Sequence, residues 1–224
     1  MALSHSPSIV TSGLILNLDA ANRRSYPGTG TVWTDLSGNR NNGILSDGPT
    51  FDSRNGGSIS FAPVTNPSKK CNVNHNQIFN SPGVTMSCWF YVNSLPGGET
   101  PLIRKEIQWA LQLDSASRIF NLITIAGVWG GKYMYYPFVI NRWYNLLATY
   151  DAISEMKTYV DGIFLDNYIR TGSIDTNTNN IAIGHGCCPT SVNGNISIVQ
   201  VYNRALSASE VAQNFNALRG RFGI

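Results

Sequence analysis

Residues 142–165 constrain the fold more than any other stretch of the chain. Arg142-Trp143-Tyr144-Asn145-Leu146-Leu147-Ala148-Thr149-Tyr150-Asp151 is dense in aromatic and β-favouring residues. After a short polar break the chain alternates: Met156, Thr158 and Val160 point to one face, Lys157, Tyr159 and Asp161 to the other. Asp161-Gly162 is a hairpin signal, and the chain resumes as Ile163-Phe164-Leu165. This pattern predicts a three-stranded antiparallel meander with one buried face and one that meets water. Such a sheet needs a second layer to cover its apolar side.

Strand patterns recur along the rest of the chain. Leu14–Asp19 is predicted as a strand with Leu14, Leu16 and Leu18 on one face, and Val32-Trp33-Thr34 as a short extended piece. Ile44 to Phe51 and Gly57 to Phe61 follow, then an irregular polar loop over 62–83 that holds Cys71 and His75. Val84–Val92 carries the clearest pattern of all. Further strands are expected at Leu102–Lys105, Gln108–Leu113, Ile119–Ile125, Tyr133–Phe138, Asn180–Gly184 and Gly194–Tyr202. About a dozen short strands without alternating helices predict an all-β, two-sheet antiparallel jelly-roll sandwich. One short C-terminal helix is expected. Ser207-Ala208-Ser209-Glu210 is a capping box, Leu206 and Val211 form a hydrophobic staple, and Val211, Phe215 and Leu218 make the apolar stripe. Gly220 is its expected stop. Residues 1–12 show no periodicity and are expected to be an extended arm, leaving 13–224 as one domain.

Charged residues are only 13% of the chain, about half the usual share. Partner choice therefore rests on hydrogen bonding and shape more than on long-range fields. A net charge of +3, with no basic run interleaved with aromatics, argues against nucleic acid. No run approaches the ~20 apolar residues of a membrane helix, and Met1 to Pro7 has no signal-peptide character.

Catalysis by a sandwich of this size calls for paired carboxylates on one strand face, such as Glu-x-Asp-x-Glu. The sequence has no such pattern, and His5, His75 and His185 have no nucleophile motif beside them, so no catalytic residue is expected. Oxygen ligands of the kind calcium prefers occur at Asp19, Asp35, Asn39 and Asn42. Asx-turns within the same loop are the competing explanation. Trp129, Tyr133 and Tyr135 are grouped among glycines with little charge, and suit a sugar ring or a protein partner. Trp89 and Trp143 are expected to pack between the sheets. Cys88 reads as a small buried hydrophobe, whereas Cys187 or Cys188 could bridge Cys71.

Several stretches together resemble the laminin-G-like, concanavalin-A-like lectin/glucanase superfamily. They are Gly13–Ala21, Asp35-Leu36-Ser37-Gly38-Asn39, Trp143–Asp151, Tyr159-Val160-Asp161-Gly162 and Asn195–Ser207. The resemblance implies a jelly roll without catalysis, and in some members calcium between the first strand and the Asp35 loop. Arg40 departs from the family's Gly-Asn-Gly-Asn-Asn-Gly and would set a cation there. The wording of Tyr26–Ser37 and of Asn214–Phe222 is similar to virion proteins of tailed bacteriophages. That likeness implies a structural protein on the particle, as capsid decoration, head fibre or tail-associated module, assembled in the host cytoplasm. Its expected partners are other virion proteins and copies of itself. A lectin-like module that adheres to host-surface polysaccharide is the alternative, and a glycoside hydrolase of the same fold a distant one.

Overall fold

A computed structural model describes residues 7–61, 69–115, 117–185 and 191–224. From the N-terminus, β1 (Leu14–Asp19), β2 (Val32–Trp33), β3 (Gly43–Ser46), β4 (Thr50–Asp52), β5 (Ser58–Ser60) and β6 (Lys70–Val73) lead to the long β7 (Val84–Val92). Next come β8 (Thr100–Lys105), β9 (Trp109–Asp114), β10 (Arg118–Ile125) and β11 (Val128–Tyr135). The meander is β12 (Trp143–Tyr150), β13 (Glu155–Val160) and β14 (Ile163–Ile169). It is followed by β15 (Ile181–Ile183), β16 (Gly194–Tyr202) and the helix α1 (Ala208–Leu218). All pairings are antiparallel.

One sheet runs β14-β13-β12-β7-β16-β5-β4, with β1 also on β16; the other runs β11-β10-β9-β8-β15-β6-β3-β2. The fold is thus the expected two-sheet sandwich with one C-terminal helix. The meander forms as the alternation requires: Asp161 and Gly162 both take positive φ in the tight turn, and Met156, Thr158 and Val160 face the interior.

Over β12 the other face of the first sheet does not meet water as expected. Every residue of β12 is buried, because α1 and the segment before β1 cover its outer side. Trp89 and Trp143 lie on that outer side, not between the sheets. Trp89 stacks on Phe222 with ring centroids 4.2 Å apart, and Trp143 lies 4.8 Å from the same ring. Alternation marks which residues share a face, but both faces here have a cover, so it could not say which cover they meet.

Other departures have local causes. A β-bulge between Leu14 and Leu16 sends Leu14 to the helix side while Leu16 and Leu18 enter the main core. The span 44–51 breaks at Asp47 and Gly48, both at positive φ, so that β3 and β4 belong to different sheets. The expected loop over 62–83 contains β6, an interior strand of the second sheet, with Cys71 and Val73 fully buried. The strand expected at Tyr133–Phe138 starts at Val128 and ends at Tyr135, because the tight turn at Ala126 and Gly127 pairs it along all of β10. Helix α1 has its capping box, and Leu206 and Val211 meet in one buried cluster. Its end is a 3₁₀ turn over Arg219–Arg221 instead of a stop at Gly220, and Gly223 is the residue with positive φ.

Residues 1–6 of the arm lie outside the described residues. The remainder is pinned: Asn214 Oδ1 accepts from the Val10 N–H at 2.7 Å, and the Tyr202 hydroxyl donates to the Val10 carbonyl at 3.0 Å. Cys88 is buried in the core as expected. Burial pushes the Cys71 thiol well above its ordinary range. Cys187 and Cys188 lie outside the described residues.

Candidate functional site

The second sheet turns its outer face to solvent, and the candidate site is there. Pairing of β10 with β11 places Phe120 beside Tyr133 and Leu122 beside Gly131. Residues 129, 131, 133 and 135 then share one side of β11. The three aromatics named from the sequence do come together as a row: Trp129 is partly buried, Tyr133 half-exposed and Tyr135 is 72% exposed. Tyr133 stacks on Phe120 with centroids 4.0 Å apart and planes 10° from parallel. Gly131 leaves the floor open between Trp129 and Tyr133. A Cβ there would overlap the Asn121 carbonyl and press on Leu122. The result is a groove of about 480 Å³ with Trp129, Tyr133, Phe120, Leu122 and Arg104 among its walls.

The charges of the groove are paired. Arg104 on β8 is buried and forks onto Glu106, with Nε to Oε2 at 2.6 Å and Nη2 to Oε1 at 2.9 Å. Its Nη1 donates to Gln112 Oε1 at 3.3 Å, and its guanidinium lies 5.0 Å from the Trp129 ring centre. Arg118 pairs with Asp114 at 2.7 Å and sits 5.0 Å from the Tyr133 ring centre. The Tyr133 hydroxyl titrates above the ordinary phenol value, raised by partial burial and then by Glu99 and Asp114. Glu99 is also its hydrogen-bond partner.

Beyond Arg104 the same face continues into a smaller polar hollow of about 190 Å³ lined by Lys70, Asn72, Asn180 and His185, among others. Here His185 Nδ1 is 3.0 Å from Ser191 Oγ. From β11 to β6 is five strand spacings, roughly 24 Å. Arg104, Gln112 and Phe120 were not expected as site residues. Their signal is the cross-strand register, which the sequence does not carry.

The oxygen donors Asp19, Asp35, Asn39 and Asn42 make a different structure. Asp35 Oδ1 accepts from the N–H groups of Asn17 at 2.8 Å and Ser37 at 2.9 Å; Oδ2 accepts from Ser37 Oγ and the Asn41 N–H. Asn42 Oδ1 accepts from the Asp35 N–H at 2.9 Å, while Asn39 donates to the Leu14 carbonyl and Ser37 Oγ. Asp19 takes a forked ion pair from Arg221 at 2.7 and 3.0 Å. Every carboxylate oxygen of the set has a partner. Asp35 and Asp19 each accept from the N–H two residues on, as Asx-turns do, whereas Asn42 reaches back to the Asp35 N–H and Asn39 to the Leu14 carbonyl. Among the described residues no three His, Cys, Asp or Glu side chains converge as metal ligands.

A model of the concanavalin A-like lectin/glucanases superfamily, of laminin G type, matches residues 64–212. No curated protein matches the sequence. Similar solved structures include the binding domain of botulinum neurotoxin DC in complex with rat synaptotagmin II, with TM-score 0.75 and 14% identity over 93% of this chain and 52% of that one. The binding domain of Paraclostridial mosquitocidal protein 1 gives TM-score 0.74 and 21% identity over 92% and 52%. Domain 4 of an extracellular GH43 arabinanase from Geobacillus stearothermophilus, in complex with arabinotriose, gives 0.69 and 16% over 91% and 98%. At these identities the likeness is one of fold. The chain spans about half the length of the toxin binding domains it resembles.

Proposed function

From its place in the concanavalin A-like lectin/glucanase superfamily, to which this chain belongs, we propose that it is a non-catalytic module that binds cell-surface glycan. Its site is the outer face of the second sheet. The observation that carries this is the pair of aromatic platforms, Trp129 and Tyr133, held apart by Gly131 and braced from beneath by Arg104 and Phe120. Flat, fixed rings beside amide and hydroxyl groups suit the apolar face and the edge hydroxyls of a sugar. The carboxylates beside the groove are each engaged, Glu106 by Arg104, Asp114 by Arg118 and Glu99 by Tyr133. Carboxylates so engaged support binding over hydrolysis, which needs an acid and a base free to trade protons. Solved neighbours such as the arabinotriose-bound domain support a glycan as the ligand class.

A glycan array with the purified chain tests this. Binding is expected, with a loss of at least tenfold on Trp129→Ala; a clean negative array would overturn it. A second, compatible reading is a virion structural protein of a tailed phage, favoured by the wording of Tyr26–Ser37 and Asn214–Phe222. Labelling the chain in intact particles and imaging them tests that reading.

A further inference from the structure

On the opposite side of the sandwich, the outer face of the first sheet holds a small polar pocket of about 80 Å³. Its lining includes Asp52, Arg54, Ser58, Tyr91, Trp143 and Asn195. The strand pairings bring these together: β4 and β5 set Asp52 beside Ser58, and β16 and β12 set Asn195 and Trp143 on either side of Tyr91. The Tyr91 and Trp143 rings lie 5.6 Å apart at 55°, so they meet in a V. Phe222 backs Trp143 from the helix side.

The hydrogen-bond inventory decides what such a pocket takes. Asn195 spends both amide hydrogens, on Asp52 Oδ2 at 3.0 Å and Ser58 Oγ at 2.9 Å, which leaves its carbonyl oxygen as an acceptor. Ser58 keeps its hydroxyl hydrogen to donate. Arg54 commits Nε and Nη2 to Asp52 and keeps Nη1. The Arg54 guanidinium in turn holds the Asp52 carboxyl at about 2, so the pair is ionised and mutually neutralised at working pH. An anion would meet Asp52 and a cation would meet Arg54. An uncharged ligand whose groups both donate and accept satisfies all of them, and a vicinal diol does so in the least space. The volume corresponds to roughly three waters at about 30 Å³ each, which takes the hydroxyl-bearing edge of one ring and is too little for a chain.

We propose that this pocket is a second binding site, for a single uncharged terminal sugar residue, with Tyr91 and Trp143 as its aromatic wall and Arg54, Ser58 and Asn195 as its diol contacts. It does not depend on the groove across the sandwich. With both sites filled, one chain could link a polysaccharide backbone to a separate sugar terminus.

The test uses the full chain and the methyl glycosides of glucose, galactose, mannose and N-acetylglucosamine, followed at the assigned Trp143 and Trp129 indole N–H resonances. At least one glycoside is expected to shift the Trp143 signal saturably at millimolar concentration. That response should weaken at least tenfold in Arg54→Ala, an exposed position whose change leaves the fold in place, and in Tyr91→Ala, and should survive Trp129→Ala. No Trp143 shift with any of the four, an equal shift in both pocket variants, or an equal response to glycerol would each overturn the proposal. A shift confined to Trp129 would overturn it while leaving the groove standing.

Discussion

Asn121 on β10 reaches through the interior to donate from Nδ2 to Oγ1 of Thr158 on β13 at 2.8 Å, one hydrogen bond joining the two sheets within an apolar core. The Oδ1 of Asn121 is buried with no partner. Thr158→Val should therefore orphan Nδ2 as well and cost about 1–3 kcal/mol. Replacing both, as Asn121→Leu with Thr158→Val, should restore most of that loss by removing the unpaired groups together. Urea midpoints of the wild type, the two single variants and the double variant check this. A double variant no more stable than Thr158→Val would show that the bridge itself, and not the orphaned amide, carries the effect.

Lys105 is fully buried, and its Nζ donates to the carbonyl of Asn177 at 3.1 Å and to the side-chain oxygen of the same residue. Burial lowers its pKa from 10.5 to about 8. Below about 8 the amine is charged in both the folded and the unfolded chain, and the cost of burying that charge is present in full. As pH rises from about 8 towards 10.5 the folded chain has released the proton while the unfolded one still holds it, so this residue's contribution to stability grows with pH. Lys105→Met should raise Tm at pH 7 and flatten the difference from wild type as pH climbs from 8 to 10. A Tm gap that is constant across that range would sink this account.

At the other end of the chain the capping box predicts a local loss. The Ser207 hydroxyl accepts from the Glu210 N–H, and Glu210 returns Oε2 to the Ser207 N–H at 2.9 Å. Ser207→Ala should cost on the order of 1 kcal/mol. Arg204 holds Glu210 at about 2, below its ordinary 4.5. The stability this gives is complete above about 4.5 and drains as pH falls towards 2. Glu210→Gln should therefore narrow the acid-side loss of Tm; an unchanged acid limb would place the loss elsewhere.

The Asp35 loop gives an ion-independent expectation. With four hydrogen bonds converging on one carboxylate, Asp35→Ala should destabilise by at least about 2 kcal/mol. Chelator should leave wild-type Tm unchanged. A Tm that rises with added calcium, and a rise that Asp35→Ala abolishes, would put an ion where the Asx-turns now lie.

What the sequence carried was strand by strand. The alternation in 156–161 and the turn at Asp161-Gly162 are local signals, and the meander follows from them. The row Trp129, Tyr133, Tyr135 was visible for the same reason. What surrounds that row was not, because Phe120 reaches it through one cross-strand register and Arg104 through three, the last of them shifted by a bulge between Pro101 and Ile103. Trp89 and Trp143 were legible as buried but not as buried under Phe222, a contact made by the far end of the chain. β6 carries too short a signal to read, since only Cys71 and Val73 alternate in its four residues.

Arg104 lines both the groove and the polar hollow beside it, and its role separates charge from shape. Lysine in its place would keep the positive charge but lose the fork onto Glu106 and the flat contact with Trp129. If the guanidinium matters as a brace, Arg104→Lys should loosen the Trp129 ring and weaken glycan binding roughly tenfold, about 1.4 kcal/mol. Trp129 fluorescence anisotropy, read in a variant lacking the other indoles, should fall with the affinity. Arg104→Gln, which also removes the charge, should bind no better than Arg104→Lys. If Arg104→Lys bound at wild-type strength while Arg104→Gln did not, a point charge would be enough, and the stacked platform would not be the source of affinity.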